Sequence, residues 1–339
     1  MTTKEHIRKP GQHRRLALIL VSLVALALGG TGVAAAGSAA PRSPVRTWTI
    51  HYTAHNGADR LAYVLLPRWY GPEENPPIPV IISPHGRNAT GLSNTKYFGP
   101  LPAAGRFAVI SPDGMGRRLP LKSYAFKGQV DDLARMPEIA TEQLPWLRID
   151  AERVFALGSS MGGHETLMLV ARHPQLLAGA AAMDSVTDLP RRYRQLPDTA
   201  CDAKCRRRWG KPYGLVLQAA MREEVGGTPT VQPTAYAARS PLAWARTIAF
   251  SDVPLQIWWS TEDAIVTDQQ HQSGTLFRTL RQVNPDAPIS AYIGRWEHSK
   301  EMKATQLLPV VLKGFGLLPG KGRELPSSVH YVPVPALDV

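Results

Sequence analysis

Cysteine is nearly missing from this chain of 339 residues: only Cys201 and Cys205 occur. With no neighbouring histidine or second cysteine pair, they cannot supply the four ligands that a structural zinc needs. Acids are also short, 27 against 39 lysines and arginines, which leaves a formal charge of +12. Such an excess draws anionic partners, yet no DNA- or RNA-binding motif accompanies it, so no nucleic-acid partner is expected. Its clusters, Arg191, Arg192 and Arg194 and the run Arg206-Arg207-Arg208, read first as solvated surface and second as a lure for acidic substrates. Internal repeats are absent too, which excludes a repeat architecture.

The N-terminus stands apart. Residues Met1 to Arg15 carry Lys4, Arg8, Lys9, Arg14 and Arg15 against Glu5, the apolar run Leu16 to Leu28 follows, and small residues continue through Ala40. This order reads as a secretory signal over residues 1–36, cut at Ala34-Ala35-Ala36. Glycine and alanine extend the apolar stretch to about 20 residues, near a bilayer span, so an uncut membrane anchor is the alternative. Gly29, Gly30 and Gly32 dilute its second half and favour cleavage. Arg14-Arg15 leaves a twin-arginine route open, although its flanks match that pattern poorly. The mature chain would carry a charge of +8 and be secreted or held in the cell envelope, with no stable membrane partner unless the signal stays uncut. In that oxidising setting Cys201 and Cys205 are expected to close a local disulfide. Its loop is short, so the bridge would fix a turn and stabilise little else.

After a linker at 37–44, apolar and polar residues alternate from Val45 to Ala54 and less cleanly from Leu61 to Leu66, which predicts an antiparallel pair. Continuous apolar runs follow at Ile78 to Ile82, Phe107 to Ile110, Val154 to Leu157, Ala178 to Met183, Leu255 to Trp259 and Ile289 to Ile293. Each is short and bounded by Gly, Pro or Asp, as suits a strand covered on both faces. Helical patterns lie between them at Asp131 to Trp146, Gly163 to Arg172, Gln269 to Val283 and Glu301 to Phe315. Strand alternating with helix places the chain in the α/β class: a mostly parallel, eight-stranded sheet over residues 45–316 with helices on both faces. Residues 187–252 interrupt the rhythm without a buried strand and read as an inserted helical cap. Residues 317–339, rich in Pro, Gly, Ser and Val, read as an extended or disordered tail.

The most specific motif is Gly158-Ser159-Ser160-Met161-Gly162, set between the strand-like Arg153 to Leu157 and a helical stretch from Gly163. In that context Ser160 is a candidate nucleophile on a strained turn, and the two glycines let strand and helix pass closely. A serine hydroxyl needs a base, and the base needs a carboxylate. In this architecture the order is Ser, acid, His, each at the carboxyl end of a strand. Asp263, in Trp258-Trp259-Ser260-Thr261-Glu262-Asp263, is the preferred acid, with Glu262 the alternative. His298, in Gly294-Arg295-Trp296-Glu297-His298-Ser299, is the base; His271 falls within a helical stretch. Backbone donors for an oxyanion are expected from the Met161 amide and, in the loop Ser83-Pro84-His85-Gly86-Arg87-Asn88, from the Arg87 amide. His85 and Gly86 shape that loop at the substrate pocket, and His164 packs near the pocket or lines it.

Taken together these residues resemble an α/β-hydrolase from about Val45 to Phe315. Ser111-Pro112-Asp113-Gly114, Asp131-Asp132 and Ser159-Ser160-Met161-Gly162-Gly163 are similar to the catalytic domain of the prolyl-oligopeptidase family and its esterase relatives. The chain departs from the large peptidases in having no preceding propeller-sized segment and in carrying the 187–252 insertion. The resemblance implies a Ser160, Asp263 and His298 serine hydrolase that needs no cofactor or metal. Its expected substrate is a small-molecule ester, with a short peptide as the alternative. The cap, with Trp209, Trp244 and its arginines, would set substrate choice. From another class, a catalytically inactive member binding an anionic envelope polymer is the remaining alternative.

Overall fold

The computed structural model describes residues 42–114, 124–300, 302–320 and 325–333. The expected signal at 1–36 lies outside them. Among the described residues nine strands, β1 (Val45–Thr53), β2 (Asp59–Pro67), β3 (Ile78–Ile82), β4 (Ala108–Pro112), β5 (Ile149–Ser159), β6 (Gly179–Met183), β7 (Leu255–Ser260), β8 (Ile289–Gly294) and β9 (Val329–Tyr331), form one sheet in the order β1-β2-β4-β3-β5-β6-β7-β8-β9. β3 to β8 run parallel, while β1, β2 and β9 make the antiparallel pairs. Every expected strand is present. The ninth comes from the tail, where Val329 pairs with Gly294 and is buried.

Twelve α-helices connect and cover the strands: α1 (Gly91–Thr95), α2 (Leu101–Gly105), α3 (Lys127–Ala134), α4 (Met136–Gln143), α5 (Met161–Arg172), α6 (Leu189–Gln195), α7 (Ala203–Trp209), α8 (Tyr213–Val225), α9 (Pro233–Ala237), α10 (Ala245–Ala249), α11 (Ser273–Val283) and α12 (Leu308–Gly314) are those among the described residues. The period of two in the strands decides which core each side chain joins. Val80, Ile82, Ala180, Ala182, Ile257 and Trp259 face a core shared with α3, α4, α5, α10 and α11. Ile81, Ala181, Met183 and Trp258 face the other, with Phe98 and the α12 residues Leu308, Val311 and Leu312. Continuous apolar runs are therefore required, because neither face meets water.

Three helical expectations shift in detail. The stretch expected as one helix from Asp131 is two, α3 and α4, with Pro137 in the first turn of the second; proline is tolerated there and not inside a helix. The stretch from Gln269 opens with a tight 3₁₀ turn through His271 before α11 begins at Ser273. Of the stretch expected from Glu301 to Phe315, Leu308–Gly314 is the α-helical part among the described residues.

Residues 187–252 are helical, with α6 to α10 and no strand. Leu189, Leu196, Leu217, Met221, Val225 and Tyr236 form a third core, which also takes in Tyr124, Val186 and Val266 from segments near the strand ends. Cys201 and Cys205 are joined by a disulfide. It spans the start of α7, where Asp202 caps the helix by accepting the Cys205 amide.

Candidate active site

β5 ends at Ser159 and α5 begins at Met161, leaving Ser160 alone to turn the chain with φ 60° and ψ −123°. A non-glycine residue there costs on the order of 1–3 kcal/mol and persists only where its surroundings hold it. They do: the Ser160 amide donates to the Met183 carbonyl at 2.9 Å, and the Ser160 carbonyl accepts from the His164 amide at 3.0 Å. A Cβ on Gly158 would lie 2.4 Å from the Gly162 carbonyl carbon, and one on Gly162 2.2 Å from the Pro84 oxygen. Any side chain at either position would push the turn apart.

His298 follows the end of β8, and its Nδ1 donates to Asp263 Oδ2 at 2.8 Å. Asp263 follows β7, its carboxylate almost wholly buried. Its Oδ1 accepts the Ile265 and Val266 amides at 2.8 and 2.9 Å, and its Oδ2 also accepts from Gln269. Glu262, by contrast, points to a half-exposed position and pairs with Arg295. Geometry thus brings Asp263, and not Glu262, to the imidazole.

A second carboxylate lies close by, one that sequence reasoning passed over. Asp184 directly follows β6, is fully buried and has φ 47°. Its Oδ1 accepts the Ser260 amide at 3.0 Å; its Oδ2 accepts Trp296 Nε1 at 2.9 Å and the Ser299 amide at 3.0 Å. It ties the loop carrying His298 to two neighbouring strands. Burial, and then the nearby Asp263 charge, push its pKa up to about 6. The signal was available, since Asp184 is the first carboxylate to close a buried strand after Ser160. Asp184, Asp263 and His298 offer ligand atoms within 4.8 Å of one another. The N–H groups that surround both carboxylates suit an acid–imidazole array better than a metal centre.

Next to Ser160 runs the loop after β3. His85 Nε2 accepts the Gly114 amide at 3.1 Å, which leaves the proton on Nδ1 to reach the Gly86 carbonyl at 2.8 Å. Because the peptide is trans, anchoring that carbonyl turns the Arg87 N–H away from the His85 ring. A Cβ built on Gly86 would lie 4.0 Å from Ser160 Cβ, so the backbone here flanks the serine closely.

The cavity beside Ser160 has a volume of about 250 Å³, and its lining includes Ser160, Met161, His298, Arg87, Arg192 and Tyr213. His85, Gly86 and His164, expected at the pocket, are not among the residues that line this cavity. His164 is wholly buried, its Nε2 donating to the Arg239 carbonyl at 2.6 Å. Arg87 brings more than an amide: both its terminal nitrogens reach Glu224 on α8, and its guanidinium lies 4.7 Å from the Tyr124 ring. The arginine cluster at 191–194 is not all solvated surface either, since Arg192 is 2% exposed. Trp209 and Trp244 stand outside the lining, the first beside Tyr213 and the second under Arg172. A larger cavity of about 320 Å³ at the β8–β9 edge, lined by Trp259, Phe277 and Tyr331 among others, holds none of the groups above.

The strand order, the serine turn between β5 and α5 and the strand-end placement of acid and base are those of the α/β-hydrolase fold, which this chain has. No family model matches its sequence, and no curated protein does. Its structure is similar to the acylaminoacyl peptidase of Pyrococcus horikoshii (TM-score 0.60, 16% identity), with 85% of this chain and 44% of that one covered. It is also similar to the dipeptidyl peptidase 4 of Porphyromonas gingivalis (TM-score 0.57, 18% identity), over 81% of this chain and 35% of that one. The S-formylglutathione hydrolase of Staphylococcus aureus matches with TM-score 0.56 and 15% identity, over 80% of this chain and 98% of that one. The chain thus spans less than half the length of these two peptidases and nearly the whole of the smaller hydrolase.

Proposed function

We propose that the protein is an exported serine hydrolase that cleaves a carboxylic ester through an acyl-enzyme on Ser160. The observation that carries this is the 2.8 Å bond from His298 Nδ1 to Asp263 beside a cavity that Ser160 and His298 both line. With Nδ1–H given to a carboxylate, the Nε2 lone pair is left to take the Ser160 proton. Ser160 Oγ attacks the ester carbonyl carbon, and the oxyanion that forms is met by the Met161 and Arg87 amides. The imidazolium hands its proton to the departing alkoxide. Water, deprotonated by the same imidazole, then attacks the acyl-enzyme, releasing the carboxylic acid and restoring the Ser160 hydroxyl.

An ester is favoured over a peptide by the small cavity and by the likeness to S-formylglutathione hydrolase along nearly its full length. The insert at 187–252 acts as a cap, since Arg192, Tyr213 and Leu217 from it line the cavity. Export is supported by the basic, apolar and small order of the N-terminus and by the Cys201–Cys205 disulfide. A peptidase is the second reading, favoured by the likeness to acylaminoacyl peptidase and dipeptidyl peptidase 4. A fluorophosphonate probe should label the wild type and not Ser160→Ala. Ester turnover should fall about a million-fold in that variant, to background. Labelling that persists in Ser160→Ala would move the nucleophile elsewhere. Faster cleavage of a proline-containing peptide amide than of any p-nitrophenyl ester would select the peptidase.

A further inference from the structure

Arg192 stands on α6, a few residues beyond the end of β6, and lines the same cavity as Ser160, Met161 and His298. Only 2% of the residue is exposed, and its Nη1 has no hydrogen-bond partner among the described residues. A guanidinium stripped of water is costly unless a carboxylate or a full set of acceptors replaces the lost hydration. Neighbouring arginines meet that need within the chain. Arg191 pairs with Asp268 at 2.6 Å, and Arg87, in the same cavity, is held by both oxygens of Glu224. The carboxylate whose field acts on Arg192 is Asp263, and its oxygens are already engaged by Ile265, Val266, Gln269 and His298. The rest of the lining is phenolic or aliphatic, with Tyr124, Tyr213, Val186 and Leu217. Tyr213 accepts the Asn88 side-chain amide at 2.9 Å, which leaves its own O–H to donate elsewhere.

We propose that Arg192 is a specificity determinant and that the substrate carries a carboxylate, bound by this guanidinium in the cavity where Ser160 meets the scissile carbonyl. The inference rests on the serine-hydrolase reading given above. A planar fork of N–H donors matches a carboxylate in both geometry and charge. The volume of about 250 Å³ sets the scale of the substrate, with only a few carbons between carboxylate and ester. The carboxylate sits either on the acyl side or on the alcohol side, and the chemistry of recognition is the same.

The test matches each anionic ester with a neutral one. The p-nitrophenyl half-ester of adipic acid against p-nitrophenyl hexanoate puts the charge on the acyl side. Carboxynitrophenyl acetate against p-nitrophenyl acetate puts it on the leaving group. In the wild type, kcat/KM should favour the anionic member of one pair by about ten- to a hundred-fold, and the pair that shows it identifies the side. Arg192→Met should bring the ratio to one or below, while Arg192→Lys, which keeps the charge but not the fork, should retain part of it. Loss of an unpartnered buried charge should leave Arg192→Met at least as heat-stable as the wild type, which separates lost recognition from lost folding. A second readout needs no turnover. Adipate or hydroxynitrobenzoate should raise the Tm of Ser160→Ala, and adding Arg192→Met should abolish the shift. An anionic preference absent from the wild type, or surviving in Arg192→Met, overturns the assignment. If no ester shows Ser160-dependent turnover, the hydrolase reading fails on its own; the Tm shift then decides for or against the anion site.

Discussion

His164 lies four residues beyond Ser160 on α5, near enough in sequence to be taken for part of the chemistry. It belongs to the packing. Burial pulls its pKa down from 6.5 to about 4, against the hydrogen bond from its Nε2 to the Arg239 carbonyl. Its Nδ1 has no partner among the described residues, so the native ring stays neutral where an unfolded one would be charged. Between pH 6.5 and 4 the unfolded chain takes up a proton that the native chain refuses. The contribution to stability is therefore full above pH 6.5 and falls as pH drops, by about 3 kcal/mol in all. Asp184 and Glu165, whose pKa values burial raises, act with the opposite sign, so the measurement has to be a difference. Urea titrations of wild type and His164→Asn, from neutral pH to about pH 4, should show the wild type's advantage shrinking by that amount. A constant difference would mean that His164 takes up its proton without cost in the fold.

Elements meet at the site through pairs that no local pattern announces. Arg87, in the loop after β3, and Glu224, on α8, are 137 positions apart, and their side chains are 8% and 0% exposed. The expectation for Arg87 concerned only its backbone amide, because position in the loop is readable from sequence and a partner so far along the chain is not. Asp263 was legible for the opposite reason: its place after a strand and before a helix is local, and so is the capping of its Oδ1 by Ile265 and Val266. Removing one member of a buried ion pair leaves the other charged in a poor solvent. Glu224→Gln should thus cost about 3–5 kcal/mol of stability, and it should loosen the attachment of α8 to the loop after β3. Denaturant unfolding checks the first effect, and hydrogen exchange of the α8 amides the second. A loss under about 1 kcal/mol would mean that the pair is solvated in solution.

At the scale of the whole molecule, the tail shows what the period of the strands could not convey. Residues 317–339 have the composition of a surface segment, yet Val329–Tyr331 close the sheet beside β8, and Tyr331 packs edge-on against Tyr292. A three-residue strand carries too little pattern to be read, and its identity depends on the edge that receives it. Val329 is 4% exposed. Val329→Asp would forfeit about 1.5–3 kcal/mol of apolar burial, add the cost of burying a carboxylate, and free the β8 edge. The expected result is a lower Tm and a greater tendency to aggregate, read by calorimetry and light scattering. An unchanged Tm would mean that β9 adds nothing to the sheet.

The eight longer strands, their layering and the turn at Ser160 are legible in the amino-acid order alone. These rest on signals a few residues long: continuous apolar runs for strands covered on both faces, and small residues where strand and helix must cross. The same order also placed Asp263 and His298 at the strand ends where the structure brings them to 2.8 Å. It takes the folded chain to show that Asp184 clasps the His298 loop, that Arg87 answers Glu224, and that one arginine of a basic cluster turns inward while Arg191 finds Asp268 near the surface. Burial and pairing depend on segments far apart in the chain, and a charge run carries no mark of which member will lose its water.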